Sequence, residues 1–279
     1  MNPSSDSERH NERLIAQAAR DIDRRDAEIL LAAAANLTRT QLLTRAGEAQ
    51  SPEIAARFDE LCRRRARGEP IAYLLGRREF WSLEFAVGPA VLVPRPETEL
   101  LVQRVLDLVS AADASVADLG TGSGAIAIAL AHERACWRVV ATDASDAALA
   151  VARLNGERLA PGRVEWLAGD WFAPLAGMRF DAIASNPPYI ADDDPALVGD
   201  GVRFEPRAAL TPGGDGLRAL ATIIEAAPLH LHPGGWLLLE HGATQAADLR
   251  SALVARGFTH VTSHRDLAGH ERISEGKWP

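Results

Sequence analysis

The apolar run FDAIAS is followed directly by Asn186, Pro187, Pro188 and Tyr189. Proline has no N–H to give a sheet ladder, and two in succession end a strand abruptly. They also stiffen the turn, so that its carbonyl groups point outward. The Asn186 side-chain oxygen and the Pro187 carbonyl can then accept both hydrogens of a planar –NH₂ group, with the Tyr189 ring stacked on that plane. Such a trap suits a conjugated amine or amide: adenine N6, or the side chain of glutamine or asparagine. An amide nitrogen is a poor nucleophile because its lone pair is delocalised into the carbonyl. Holding its hydrogens favours lone-pair density on the face that must react and fixes the geometry of attack. The plainer reading of the same residues is a structural stop.

A second constellation lies upstream, in VADLGTGSGAIAIAL. Gly120, Gly122 and Gly124 alternate with Thr121 and Ser123 between a strand and a helix. Glycines there permit positive φ and let a ligand lie against the backbone. Asp143 follows Gly124 by 19 residues, at the end of the next strand. A carboxylate in that place accepts from both hydroxyls of a ribose; a helix N-cap before Ser145 is the bland alternative. A dinucleotide site would show G-x-G-x-x-G. Here the pattern is G-x-G-x-G preceded by Asp118, and a carboxylate suits an ammonium better than a pyrophosphate. Asp170 and Trp171 follow the third strand and offer an acceptor and a flat ring for adenine, unless Trp171 is merely packed on the surface. Together these groups fit an adenosine with an amino-acid tail, which is S-adenosylmethionine.

The elements that must position these groups alternate. From Ser115 the strands VADLG, RVVATD, RVEWLAGD, FDAIASN and GWLLLEHG are separated by helices starting near Ser123, Ser145 and Gly216, with another from Ala243. Alternating βα units predict a parallel sheet covered on both faces, with ligands at its carboxyl edge. THVTSHRD and HERISEGKW, joined by a short loop, predict an antiparallel hairpin at the end of that sheet. The first 75 or so residues read as helix, with Ser51 as an N-cap, Pro52 in a first turn and Glu53 at the positive helix end. The run RRRAR reads as a solvated helix face. REFWSLEFAVGPAVLVPRP, with alternating residues around Gly88-Pro89, reads as a β-hairpin linking two domains. The expected boundaries are 1–75 for a helical domain, 76–95 for the hairpin and 96–279 for the α/β domain.

The chain has 279 residues, a net charge of −8 and 47% hydrophobic residues. Residues 1–90 are balanced in charge, so the acidic excess lies in the rest. That argues against a simple phosphate-gripping nucleic-acid binder. Two distant cysteines, Cys62 and Cys136, make neither a disulfide scaffold nor a zinc pattern, so no metal is expected. No apolar h-region and no membrane-length run occurs, so a cytoplasmic protein is expected.

PIAYLLGRREFWSLEF, VLVPRPETE, DLGTGSGAIAIAL, GDWF, SNPPYI, VRFEP, LLLEHG and GHERIS resemble, in order over residues 20–279, the peptide chain release factor glutamine methyltransferases, the PrmC/HemK family. The resemblance implies a class I S-adenosylmethionine-dependent methyltransferase fold, Rossmann-like with a mostly parallel seven-stranded sheet, behind a small helical domain that recognises the substrate. It implies methylation of the amide nitrogen N5 of the glutamine in the Gly-Gly-Gln loop of class 1 release factors, modulating translation termination. Its cofactor residues fall on Gly120, Thr121, Gly122, Ser123, Gly124, Asp143 and Trp171, with Asn186 beside the methyl donor; Ser123 stands where many relatives have Thr. Its substrate residues fall on Asn186, Pro187, Pro188 and Tyr189, of which Asn186, Pro187 and Tyr189 are the expected catalytic groups. Arg95, Glu97 and Thr98 match a motif whose role the sequence does not reveal. Glu205 and Pro206 are expected to brace the loop after Tyr189, and His241 to be a satisfied histidine. The expected partner is a release factor, with no nucleic acid, no membrane and a monomeric state. Two rival reactions stay open at this point: methylation of a ribosomal-protein glutamine and of adenine N6 in nucleic acid. A non-catalytic S-adenosylmethionine-binding module is the third.

Overall fold

The computed structural model describes residues 10–44 and 48–279, without the side chain of Leu43. They form two compact units, divided in sequence between Gly76 and Arg77.

The first unit holds α1 (His10–Ala18), α2 (Arg24–Ala34), α3 (Arg39–Thr44), α4 (Pro52–Ala66) and α5 (Ile71–Leu75). Ser51 caps α4 by accepting from the Ile54 N–H, with Pro52 in the first turn. Ile15, Ala27, Leu30, Leu31, Phe58 and Leu61 form its core. Each large side chain buried this way contributes roughly 1.5–3 kcal/mol. The arginine run differs from a simple solvated face. Arg63 pairs with Glu60 at 2.6 Å and Arg64 with Glu69, while Arg65 reaches Asp26 of α2 at 2.7 Å. The last pair is largely buried and ties two helices together.

The second unit opens with a hairpin, β1 (Arg77–Phe80) and β2 (Leu83–Ala86). Its turn is Trp81-Ser82, both with positive φ, so Gly88-Pro89 lies beyond the hairpin. A two-residue turn of this kind is usually signalled by Asn-Gly; here side-chain partners hold it instead. The Trp81 N–H donates to Glu99 Oε1 at 2.8 Å and its indole N–H to Glu133 Oε1 at 2.8 Å.

A 3-10 turn at Pro96–Thr98 leads into α6 (Glu99–Leu108). Then β3 (Ser115–Leu119), α7 (Ala125–Glu133), β4 (Arg138–Asp143), α8 (Asp146–Leu159), β5 (Val164–Ala168) and β6 (Phe180–Ser185) follow. The chain closes with α9 (Arg218–Ala226), β7 (Leu231–Glu240), α10 (Ala246–Arg256), β8 (Thr259–Arg265) and β9 (Glu271–Lys277). The seven-stranded sheet has the order β5-β4-β3-β6-β7-β9-β8. β3 to β7 run parallel, and β9 pairs antiparallel with both β7 and β8. The chain runs outward from β3 to β5, then returns to the other side of β3 with β6. That reversal makes the crevice where open α/β sheets bind ligands. Because the central strands are parallel, Leu119, Asp143, Ser185 and Glu240 all end at one edge. Residues 125–131 of α7 are buried on every side, as the run AIAIALA requires. No helix among the described residues is long and apolar enough to cross a membrane.

Candidate active site

A cavity of about 420 Å³ opens at the carboxyl edge of the sheet. It lies within the volume range of small-molecule sites. Gly120, Thr121, Gly122, Ser123, Asp143, Asp170, Trp171, Asn186 and Pro188 all line it. Gly124, Pro187 and Tyr189 do not.

The glycines serve different ends. Gly122 has φ +57° and open space where a Cβ would stand, and its N–H donates to Asp143 Oδ2 at 2.9 Å. Gly124 has φ +84°, and a Cβ there would lie 2.9 Å from Ile128 Cδ1 and 3.0 Å from the Trp166 ring. It is therefore a packing glycine. Asp143 Oδ1 accepts from the Ser145 N–H at 2.8 Å, so the carboxylate both steadies the glycine loop and precedes the N-cap of α8. Each of its oxygens keeps a second lone pair for a ligand.

Asp118 stands behind the loop, fully buried. Its Oδ2 accepts from Thr121 Oγ1 at 2.6 Å and from the Ala127 N–H at 3.1 Å, pinning loop and helix together. Its Oδ1 has no hydrogen-bond partner. Burial pushes this carboxyl up to about 7. A buried carboxylate oxygen without a partner is stabilised by a nearby cation and opposed by an anion. The unpartnered oxygen behind the loop thus suits an ammonium in front of it better than a pyrophosphate.

Trp171 lines the cavity beside Gly120, where a Cβ would come within 3.2 Å of its ring. Its backbone is left-handed, with φ +44°, and its carbonyl accepts from Thr142 Oγ1 at 3.1 Å. Asp170 is exposed at the rim.

On the opposite wall the side-chain amide nitrogen of Asn186 donates to Thr98 Oγ1 at 3.1 Å. Thr98 Oγ1 in turn donates to Glu240 Oε2 at 2.7 Å, and the Tyr189 hydroxyl approaches Glu240 Oε1 at 3.4 Å. Burial raises Glu240 to about 7 and Tyr189 further above the phenol range. The Tyr189 carbonyl accepts from Gln245 Nε2 at 3.0 Å, and Gln245 Oε1 accepts from the Gly242 N–H at 2.9 Å. The turn after β6 is thereby stitched to the turn after β7. Pro187 is buried within it.

The partners of several supporting residues were invisible in the sequence. Arg95 pairs with Glu205 at 2.6 Å, and the other Glu205 oxygen accepts from the Val93 N–H at 3.0 Å. This clamp joins the stretch carrying Val91, Leu92 and Pro94 to the one carrying Pro206, Ala208 and Ala209, and both line the cavity. Asn155, buried on α8, bonds both the N–H and the carbonyl of Ala86 and also the carbonyl of Ser123. His241 is fully buried: Nδ1 faces the Gly242 carbonyl at 2.8 Å and Nε2 faces Ser274 Oγ at 2.8 Å. Burial lowers its pKa, so it is a neutral, fully bonded histidine. Among the described residues no group of three or more His, Cys, Asp or Glu could hold a metal ion.

Residues 9–76 match the family model described as PrmC N-terminal domain, and residues 96–221 match the methyltransferase small domain. A release factor glutamine methyltransferase of Burkholderia pseudomallei (strain K96243) is 52% identical over 94% of this chain and 94% of its own. One from Xylella fastidiosa (strain Temecula1) is 47% identical over 95% of this chain and 97% of its own. Among solved structures, the hMettl16 catalytic domain, in complex with the MAT2A 3'UTR hairpin 6, covers 78% of this chain and 81% of its own with a TM-score of 0.58. At 20% identity that last likeness bears on the fold alone, which is that of the class I methyltransferases. Relatives matched from end to end, rather than over the common methyltransferase core only, place this chain in the release factor glutamine methyltransferase family.

Proposed function

We propose that this enzyme transfers a methyl group from S-adenosylmethionine to the side-chain amide nitrogen of the glutamine in the Gly-Gly-Gln loop of class 1 release factors. The activity of the relatives points to the release factor, and one observation carries the methyl-accepting chemistry. The Asn186 amide nitrogen is committed to Thr98, so its carbonyl oxygen is the end left to accept a hydrogen at the wall of the cavity that also holds the glycine loop.

The residues divide the work. Gly120 to Ser123 would lie along the amino-acid part of the cofactor, Asp143 would accept from its ribose, and Asp170 and Trp171 would hold its adenine. Gly124 keeps the loop close to Trp166. When bound, S-adenosylmethionine supplies a methyl group carried on a positively charged sulfur. Asn186 Oδ1, at the cavity wall, would accept one hydrogen of the substrate amide, and the carbonyl of Pro187, next in the chain but off that wall, would have to reach the other, which would turn the face of the nitrogen toward the reacting carbon. The rigid Pro187-Pro188 turn holds both acceptors in place, which removes the orientational part of the barrier. Tyr189 lies off the cavity wall, anchored at its hydroxyl and at its carbonyl. Its ring packs against the central core, where it braces the turn that carries Asn186 and Pro187. The reaction thus relies on orientation and electrostatics around a group that carries its own reactivity.

The test is direct. Purified enzyme, S-adenosylmethionine and an unmodified release factor should yield one added methyl on the Gly-Gly-Gln peptide by mass spectrometry. Parallel assays with ribosomal protein and with adenine-containing nucleic acid should stay blank. An unmodified Gly-Gly-Gln peptide beside a methylated alternative would reject the assignment.

A further inference from the structure

An asparagine side chain presents two ends of nearly equal size, a carbonyl that accepts and an NH₂ that donates. Packing hardly distinguishes them, so the hydrogen-bond partner decides which end faces outward. For Asn186 that choice is decisive, because a donor turned toward a substrate –NH₂ would meet another donor. We infer that Glu240, acting through the Thr98 hydroxyl, is the group that sets the orientation of the Asn186 amide. The inference rests on Asn186 being the acceptor of the substrate amide, as proposed above.

The chain of logic follows the hydrogens. An ionised carboxylate only accepts, so Thr98 must give its single hydroxyl hydrogen to Glu240 Oε2, at 2.7 Å. Toward Asn186, Thr98 Oγ1 can then only accept, and only the NH₂ end of Asn186 can satisfy it, at 3.1 Å. The carbonyl end is left for substrate. Glu240 is 1% exposed, so water does not compete for its bond to Thr98, which is 5% exposed and meets Asn186 at the cavity wall. The second Glu240 oxygen faces the Tyr189 hydroxyl, another donor, which agrees with a carboxylate accepting on both sides. A proton on Oε2 would reverse the relay: Glu240 would donate to Thr98, Thr98 would turn its hydrogen toward Asn186, and the amide would flip. The charged or titratable groups around Glu240 are Glu97 on the 3-10 turn, Tyr189 after β6 and Arg272 on β9. Burial outweighs Arg272 and holds the Glu240 carboxyl near 7, within reach of the assay. Thr98 and Glu240 are positioning residues in this scheme; neither touches the reacting atoms.

Thr98→Val keeps the shape and removes the hydroxyl, and Thr98→Ser restores it. On an unmodified release factor, Thr98→Val should lower kcat roughly 10–100-fold, somewhat less than the loss of a directly acting group. Its S-adenosylmethionine affinity by calorimetry should stay within about twofold. Thr98→Ser should recover kcat to within about threefold of wild type. The wild-type kcat should decline below about pH 7, and Glu240→Gln should flatten that limb. A Thr98→Val enzyme with wild-type kcat would overturn the relay, as would a Thr98→Ser enzyme as slow as Thr98→Val. A fall in cofactor affinity that accounts for the whole loss would overturn it too. Wild-type enzyme is the internal control: if it leaves the release factor unmethylated, the reaction assignment fails rather than the relay.

Discussion

The last two glycines of the loop give a prediction in which stability and binding separate. Gly124→Ala puts a methyl 2.9 Å from Ile128 Cδ1 and 3.0 Å from the Trp166 ring, at φ +84°. Left-handed backbone costs a side chain ~1–2 kcal/mol, and overpacking a core costs a further ~1–3 kcal/mol. A loss of roughly 2–5 kcal/mol lowers the melting temperature of a domain this size by roughly 5–15 °C. Gly122→Ala meets nothing within 4 Å, at φ +57°, so only the backbone term applies. Its expected loss is ~1–2 kcal/mol, or about 2–6 °C. Yet its methyl stands at the cavity wall beside Asp143, where the cofactor must lie. Thermal melts and calorimetry with S-adenosylmethionine on both variants would check this. Gly124→Ala should melt lower, while Gly122→Ala should lose at least about tenfold more affinity, or ~1.4 kcal/mol. Normal cofactor binding by Gly122→Ala, or a lower melting point for it than for Gly124→Ala, would refute the assignment of the two glycines.

Asn186→Ala removes an oriented acceptor, and turnover on a release factor should fall roughly 10²–10³-fold with cofactor affinity little changed; near-normal turnover would take Asn186 out of the mechanism. Asp143→Ala should weaken S-adenosylmethionine binding about 10–100-fold by calorimetry, through charge-assisted bonds of ~1.5–3 kcal/mol and the lost tether on Gly122. Asp118 is raised from 3.8 to about 7 in the fold, so the native state holds its proton more tightly than the unfolded chain. Its contribution to stability is full below about pH 4 and lost as pH rises through about 7. Relative to Asp118→Asn, wild-type stability should therefore decline over that interval, by at most about 1.4 kcal/mol per pH unit. Urea unfolding of both proteins at pH 5, 6, 7 and 8 measures the difference, and a parallel pair of curves would contradict it.

The sheet was legible because its strands are short apolar runs closed by chemistry: VADLG by glycines, RVVATD by Asp143, FDAIAS by Asn186 and two prolines. The final hairpin was legible from its short loop, and the structure inserts its second strand, β9, between β7 and β8. The first hairpin was recognisable but its turn was not, since Trp81 and Ser82 adopt positive φ without carrying a turn signal. RRRAR looked solvated because Asp26, the partner of Arg65, lies 39 positions away. The same limit hid the supports of the site. Arg95 and Glu205 are separated by 110 positions, and Thr98 and Glu240 by 142. Period and local spacing report which residues share a face or a turn; they say nothing of which polar group will meet another across a sheet edge. Nine of the residues lining the cavity could be read from type and order, whereas Gly124, Pro187 and Tyr189, read in the same way, lie off its wall, and the partners of all of them required the fold.

Asn155 leaves one consequence for motion. A single side chain clasps both backbone groups of Ala86 and the Ser123 carbonyl, and Arg158, one helical turn on, adds a bond to the Glu84 carbonyl. The end of the β2 strand and the tip of the glycine turn therefore share an anchor, so disorder in either strips bonds from the other. Amide protons at the two places should open and close in concert rather than as separate local events.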